Sequence, residues 1–253
     1  PPVPHPNRCA VVVYTGTSKL ATKLDQPGSK GYAVGFRELV GFVMSQLPQN
    51  EIIENALRKE VKLTPEIVIR ELVANALIHQ DFRITGASVM IEVYSNRVEI
   101  SNPGDPIVPI ERFIDGYQSR NELLANLMRR FAICEEKGSG VDKVIQAIED
   151  QQLPAPDFRS GFKRLSAILF APRRFEEMDR NDRIRACYQH CCLCYELHGK
   201  MSNQSLRERF KLPEARVDSV SQIISATVDA GLIRLHDTTA TSRRYTRYVP
   251  SWG

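Results

Sequence analysis

The chain has 253 residues, 42% of them hydrophobic and 25% charged, which is enough for one large domain or two ordinary ones, each with its own core. It contains no apolar run close to the ~20 residues that cross a bilayer and no secretory leader, so we expect no membrane partner. The net charge of +4 lies in one part of the chain. Residues 1–171 carry 20 basic and 20 acidic residues, and residues 172–253 carry the other 14 and 10, so the last third is the part expected to meet a polyanion.

The cysteines exclude a secreted disulfide framework. Four of the six lie within residues 187–194, too close together to crosslink a fold of this size, so we expect a reducing, cytoplasmic setting. On a helix, Cys187, Cys191 and Cys194 would share one stripe, which is typical of a packed core face. A metal or redox role is the alternative, but the spacing matches no common zinc module.

Strands and helices alternate along the first two thirds of the chain. The proline-rich residues 1–7 read as a linker, and a polar loop with a turn at Pro27 and Gly28 follows the first strand. A hydroxyl, a proline and an acid at Thr64, Pro65 and Glu66 indicate a helix start. Periodicity predicts strands at 8–14, 88–94, 97–101 and 162–170, and helices at 36–47, 64–80, 121–130 and 141–150.

The predicted helix at 64–80 is apolar on nearly every side except for one polar row. Glu71, Asn75 and His79 stand at i, i+4 and i+8, so they share one face. Such side chains need partners when they are buried, because an unpaired buried polar group is costly. The row is either a narrow solvent-exposed stripe or a binding site.

The sequence around this row, RELVANALIHQDF at 70–82, closely resembles the N box of the GHKL superfamily, which includes DNA gyrase and the histidine kinases. Its version is similar to that of the RecG C-terminal-like family of transcriptional regulators. The resemblance implies that Glu71 activates the water that hydrolyses ATP and that Asn75 holds Mg²⁺. A carboxylate suits a general base, and an amide oxygen is a hard ligand for Mg²⁺.

Three further motifs carry the same resemblance, at residues 98–106 (VEISNPGDP), 119–125 (SRNELLA) and 135–141 (EEKGSGV). The first occupies the place of the superfamily's adenine-binding DxGxG box, but Ser101 or Asn102 stands where the aspartate is expected. Glycines before a helix start offer free amide donors for phosphate. The resemblance implies a nucleotide site whose remaining members are His79, Asn102, Gly104, Arg120, Asn121, Gly138, Ser139 and Gly140.

The family resemblance also implies an architecture and its limits. We expect an α+β chain, with a GHKL (Bergerat-type) α/β sandwich at 8–171 and a charged linker at 172–182. Members of the family commonly carry an AlbA-like (Schlafen-type) domain before this region, and on this resemblance we expect residues 1–253 to begin after such a domain. No GxxxxGK[ST] phosphate loop is present, so we do not expect a helicase.

Residues 183–253 follow the order of a winged helix-turn-helix domain: a long helix, two shorter ones and a hairpin. The second of the shorter helices would enter the major groove of double-stranded DNA with its N-terminal residues, Arg216 and Ser219. The hairpin would bring Arg243, Arg244 and Arg247 to phosphates. A winged helix used for protein contact is the alternative.

These patterns predict a bacterial transcriptional regulator that binds DNA through the winged helix and binds or senses Mg-ATP through the GHKL-like domain. The first alternative is an active Mg²⁺-dependent ATPase with Glu71 as the base. The second is a GHKL fold that has lost its nucleotide and serves as a scaffold or as the contact surface of a homodimer. The altered adenine-binding motif keeps this second alternative open.

Overall fold

The computed structural model describes residues 9–54, 57–62, 64–134, 140–237 and 246–253. The chain is an α+β protein with a mixed sheet and helices, and it divides into two compact units. The described residues within Pro1–Val144 and Pro156–Ala171 form the first unit, and those within Ile145–Ala155 and Pro172–Gly253 form the second. None of the helices described combines the length and the apolar character that crossing a bilayer requires.

The first unit is built on a six-stranded sheet with the order β2-β1-β5-β6-β8-β7. Only the pair β1–β5 is parallel, and the other neighbours in this sheet are antiparallel. A separate antiparallel pair, β3–β4, follows the first helix. The strands are β1 (Ala10–Tyr14), β2 (Thr22–Pro27), β3 (Gln49–Glu54), β4 (Leu57–Lys62), β5 (Met90–Val93), β6 (Arg97–Pro103), β7 (Asp157–Gly161) and β8 (Arg164–Phe170).

Strand composition explains which parts of the sheet lie inside. The three consecutive valines of β1, Val11 to Val13, are all buried, as expected for a strand with neighbours on both sides and covered faces. Strands β5 and β6 form the predicted hairpin, in which Ile91 faces Ile100 across the ladder and both are buried. The predicted polar loop after β1 is wrong in part, because its second half is the edge strand β2, whose exposed polar side chains hide the strand pattern.

The described part of the first unit contains three helices, α1 (Tyr32–Gln46), α2 (Glu66–His79) and α3 (Glu122–Arg130), and the start of a fourth, α4 (Gly140–Asp150). The rest of α4, from Ile145, belongs to the second unit. Helix α2 packs against β6 and α1. It begins one residue later than predicted, with Pro65 rather than Thr64 at the N-cap position. Thr64 is buried, and its hydroxyl has no hydrogen-bond partner among the described residues.

Nine of the fourteen residues of α2 are buried, which explains its apolar character on nearly every side. A helix surrounded by protein cannot leave its polar groups to water. The C-terminal end of the helix is satisfied by side chains from elsewhere. The Asn121 amide donates to the carbonyl oxygens of Ile78 and Gln80, at 2.7 and 2.8 Å. The end of α2 is therefore fixed to the start of α3.

The second unit consists of three helices and a two-stranded antiparallel sheet: α5 (Arg180–Glu196), α6 (Asn203–Arg209), α7 (Val217–Asp229), β9 (Ile233–Leu235) and β10 (Tyr248–Pro250). Ser202 caps α6, its hydroxyl accepting from the Ser205 amide at 3.1 Å. Cys187 and Cys191 belong to the core of this unit, as the core-face interpretation predicts. Burial raises the pKa of the Cys187 thiol to about 12.

Residues 145–155 belong to the second unit, where the Glu149 side chain contacts His190. His190 on α5 contacts the Glu149 carboxylate at 2.9 Å through Nδ1 and the Ser205 hydroxyl at 3.1 Å through Nε2. Burial lowers the pKa of His190, but hydrogen bonds with Cys194 and Glu149 outweigh it and raise that pKa to about 9. The guanidinium of the buried Arg209 donates to the Leu153 carbonyl at 2.8 Å.

The segment 172–182, for which the sequence predicts a linker, holds a 3-10 turn at Phe175–Glu177 and the first residues of α5. Met178 belongs to the core of the second unit, and Phe175 packs against it. Asp182 is buried and accepts from two arginines, Arg173 at 2.8 Å and Arg185 at 2.6 Å. Charged residues of this segment therefore form ion pairs within the second unit, although their composition is typical of a linker.

Gly104, directly after β6, fixes where the next loop runs. Its φ of +111° lies in a region that side-chain-bearing residues rarely adopt. A Cβ at this position would lie 2.9 Å from the Cβ of Asp81, just beyond α2. The Asp81 amide donates to the Pro103 carbonyl at 2.8 Å, and the Gly104 amide donates to the Lys163 carbonyl at 2.7 Å. The loop is therefore held against the end of α2.

We expect Gly104→Ala to destabilise the chain by about 1–3 kcal/mol, because alanine meets both the strained φ and the contact with Asp81. The matched control is Gly41→Ala, in the exposed part of α1, where an added Cβ meets nothing within 4 Å. Its expected effect is a stabilisation of up to about 1 kcal/mol. Urea denaturation followed by circular dichroism measures both, and equal midpoints for wild type and Gly104→Ala would contradict the close approach described above.

Candidate functional site

A cavity of about 160 Å³ lies in the first unit. Its wall is formed by α2, the end of β6 and the loop after it, α3, the start of α4, and strands β7 and β8. Seven of the residues that the sequence assigns to a nucleotide site line it: Glu71, Asn75, His79, Asn102, Gly104, Arg120 and Gly140. These residues are spread over seventy positions of the chain, and the fold brings them together.

The polar row of α2 faces this cavity. Glu71 is buried, with 2% of its surface exposed, and one carboxylate oxygen accepts from the neighbouring Arg70 guanidinium at 2.6 Å. The Asn75 carboxamide is half-buried and has no hydrogen-bond partner among the described residues. The row is therefore a cavity wall with unused hydrogen-bonding capacity, and the solvent-stripe alternative does not describe it.

Gly140 brings the first turn of α4 against this row. A Cβ there would lie 3.2 Å from the second carboxylate oxygen of Glu71 and 3.6 Å from the Asn75 amide nitrogen. Only a residue without a side chain leaves that space open. The neighbouring Gly138 and Ser139, also assigned to the site by the sequence, lie outside the described residues.

His79 closes the polar row at the other end of the helix. Burial, followed by the nearby positive charge of Arg120, lowers the pKa of His79 below its ordinary value, so the ring is neutral at pH 7. Its carbonyl oxygen accepts from the Arg120 Nε at 3.1 Å. A neutral imidazole offers one donor and one acceptor to whatever occupies the cavity.

Arg120 ties three segments together at this end. Besides the His79 carbonyl, its guanidinium contacts the Asp81 carboxylate at 3.4 Å and the Asp105 carbonyl. Hydrogen bonds from Arg83, both side chain and backbone, hold the pKa of Asp81 well below its usual range. Arg120 therefore positions the loop after β6, with its own charge largely occupied by these partners.

The structure separates the two residues that stand where an aspartate is expected. Asn102 is buried and lines the cavity, and its amide nitrogen donates to the Pro103 carbonyl at 3.2 Å. Ser101 is on the other face of β6, where its hydroxyl accepts from Arg164 at 2.7 Å. Asn102 is thus the polar side chain that β6 offers to the cavity.

Apolar side chains that the sequence did not single out form the rest of the wall. Phe113 and Phe158 meet edge to face, with 5.3 Å between ring centroids, and both line the cavity. Tyr117, which is half exposed, stands nearby on the same wall. Strand β7 was not predicted, because its polar and glycine-containing sequence, DFRSG, lacks a strand pattern, so Phe158 could not be assigned to the wall.

Two polar side chains of the cavity are of types that Mg²⁺ accepts as ligands. In the described parts of the chain, no group of three or more His, Cys, Asp or Glu side chains is placed to hold a metal ion. Glu71 and Asn75 nevertheless offer a carboxylate and an amide oxygen side by side, and Mg²⁺ is commonly held by one or two such ligands together with phosphates and water.

The residues predicted to contact DNA are placed in the second unit. Arg216 is the N-cap of α7, and its guanidinium pairs with Glu176 at 3.4 Å. Ser219 lies in the first turn of the same helix and is half-buried. Arg247 precedes β10, whereas Arg243 and Arg244 lie outside the described residues. Asn121, predicted to bind the nucleotide, is not on the cavity wall but caps the end of α2.

Comparisons with known proteins bear on the first unit and on the fold. Residues 86–169 match the family described as "Putative ATP-dependent DNA helicase recG C-terminal". The crystal structure of the DIP2311 protein from Corynebacterium diphtheriae is similar in fold, with a TM-score of 0.61 at 17% identity, over 97% of this chain and 51% of that one. The chain thus spans about half the length of that protein. No curated protein matches the chain.

The matched stretch begins just before β5 and ends within β8. It includes four residues of the cavity wall: Asn102, Gly104, Arg120 and Gly140. The match confirms the resemblance for the three motifs at 98–106, 119–125 and 135–141, which lie within the stretch that matches the RecG C-terminal-like family.

Proposed function

We propose that the cavity of the first unit binds ATP together with Mg²⁺. The observation that carries this proposal is the convergence of Glu71, Asn75 and Gly140, where two oxygen-bearing side chains face the open first turn of a helix. A helix start presents free backbone amides and a positive dipole end, which favour a phosphate. The match of residues 86–169 to the RecG C-terminal-like family supports an ATPase-type domain.

Each wall of the cavity suits a different part of the ligand. Asn75 would hold the metal ion through its amide oxygen, and the metal ion would supply charge neutralisation for the phosphates. The aromatic wall of Phe113 and Phe158 suits a flat base, which it would contact through ring edges and faces. Asn102 has its amide nitrogen engaged with the Pro103 carbonyl, which leaves its oxygen to accept from an exocyclic amino group.

Binding and hydrolysis make different demands on the residues. A hydrolase needs a base next to the attacking water, and Glu71, buried beside Asn75, is the carboxylate in reach. A nucleotide sensor needs only residues that bind the nucleotide, and no base. A scaffold that has lost its ligand would need neither, but the unpartnered Asn75 amide and the open space at Gly140 favour a site that still takes a ligand.

We expect Asn75→Ala to weaken Mg-ATP binding by at least tenfold, because it removes the predicted metal ligand without filling the cavity. Isothermal titration calorimetry on the full chain measures the change. The matched control is Glu66→Ala, an exposed position in the first turn of the same helix, which should leave the affinity unchanged. Equal affinities for wild type and Asn75→Ala, or no binding to either at millimolar ATP, would remove nucleotide binding from the account.

The variant Glu71→Gln then separates an ATPase from a sensor. If the chain hydrolyses ATP, this change abolishes turnover while sparing affinity, since a base contributes to the barrier more than to the ground state. Turnover that survives would make Glu71 a structural residue. No turnover in wild type, with intact binding, identifies a sensor.

We further propose that the second unit is a winged helix that binds double-stranded DNA, which makes the chain a transcriptional regulator acting in the cytoplasm. The order of three helices followed by an antiparallel pair supports this proposal, and so does the excess positive charge of residues 172–253. Helix α7 itself contains no lysine or arginine, and its exposed positions include Asp218 and Asp229. Phosphate contacts from outside the helix would therefore carry most of the affinity.

We expect the triple change of Arg243, Arg244 and Arg247 to Ala to weaken binding to every duplex alike and to flatten the salt dependence by up to about three units of log–log slope. Arg216→Ala should instead change the preferred sequence, by about 1–3 kcal/mol where it pairs with a guanine. Fluorescence anisotropy of the full chain, at several salt concentrations, measures both. Arg159→Ala, the loss of one exposed cation from the first unit, is the control. Binding that is absent, or insensitive to salt, would favour a winged helix used for protein contact.

A further inference from the structure

Helix α3 presents an apolar row to solvent. Leu123 and Leu127 are 87% and 45% exposed, and Phe131, one residue past the helix end, is 52% exposed. These residues stand at i, i+4 and i+8, so they form one continuous line. The opposite side of the helix is used inside the unit, where Ala125 and Met128 are buried. The exposed row is therefore not a by-product of a loosely packed helix.

A second exposed row runs beside the first and carries opposite charges at its two ends. It consists of Glu122, Asn126 and Arg130, again four residues apart. Neither Glu122 nor Arg130 has a salt-bridge partner among the described residues. Asn126, in the middle, accepts from the Arg129 guanidinium. The acid and the base are separated by eight residues, or about 12 Å along the axis.

A surface with an acid at one end and a base at the other is complementary to itself when it is turned end to end. If two copies of α3 pack antiparallel about a two-fold axis, Leu123 and Leu127 of each copy meet, and Glu122 of each copy faces Arg130 of the other. The two charge pairs then flank an apolar centre. This is the arrangement of an isologous interface, with a desolvated middle and a polar rim.

We propose that the chain associates with a second copy of itself through the outer face of α3. A polyanion would not match the acid at Glu122, and an apolar surface alone would not use either charge, whereas a second copy pairs both. The contact involves one short helix on each side, which is small compared with permanent interfaces. The expected dimer is therefore weak and concentration-dependent.

Charge reversal tests both the partner and the register. Sedimentation velocity of the full chain over a concentration series should show a monomer–dimer equilibrium. Glu122→Arg and Arg130→Glu should each weaken it, on the order of tenfold in Kd, because two symmetry-related pairs become repulsive. The double variant should recover the wild-type Kd. An equimolar mixture of the two single variants should dimerise better than either alone, since each copy then faces opposite charges.

The apolar row is tested separately. Leu123→Glu should abolish association, whereas Leu20→Glu, at a position 94% exposed elsewhere in the first unit, should leave it unchanged. Circular dichroism confirms that both variants are folded, as expected for side chains that lie in solvent. A wild-type chain that remains monomeric at millimolar concentration would overturn the proposal. A double variant no tighter than the single ones would overturn the antiparallel pairing on which it rests.

Discussion

The architecture of the first unit depends on the cost of removing the polar row of α2 from water. Nine residues of this helix are buried, so its position between sheet and neighbouring helix is fixed by apolar contact. The same burial carries Glu71 inside, at 2% exposure, where an unmatched carboxylate would be strongly unfavourable. Arg70 engages one of its oxygens, and the other faces Gly140. The second carboxylate oxygen of Glu71 and the carboxamide of Asn75 line the cavity, without a hydrogen-bond partner among the described residues.

Two glycines shape that cavity: one leaves space open, and the other allows two chain segments to approach closely. Gly140 keeps space open, because any Cβ would enter the region beside Glu71 and Asn75. Gly104 brings chain segments together, since its positive φ lets the loop after β6 lie against Asp81. Arg120 then fixes this loop to the last turn of α2 through the His79 carbonyl. The nucleotide proposal rests on this arrangement of α2, α4 and β6.

The sequence predicted most elements of the first unit whose pattern is strong, including α2, α3 and the β5–β6 hairpin. It did so because apolar periodicity reports burial directly. It missed β2, β3, β4 and β7, which are rich in polar residues and have no alternating apolar pattern. Seven predicted site residues converge, but only the fold could separate Asn102 from Ser101, since register decides which face a strand residue occupies. No sequence motif pointed to Phe113 and Phe158, so the aromatic wall of the cavity could not be predicted.

We propose that a nucleotide occupies the space between α2 and the first turn of α4. Nuclear magnetic resonance of the isotope-labelled chain, titrated with Mg-ATP, tests it most directly. We expect saturable chemical-shift changes of the Asn75 side-chain amide and the Gly140 backbone amide, with the Gly41 and Gly161 amides unchanged. Absence of any shift at Asn75 and Gly140 up to millimolar Mg-ATP, or shifts confined to other parts of the chain, would contradict it.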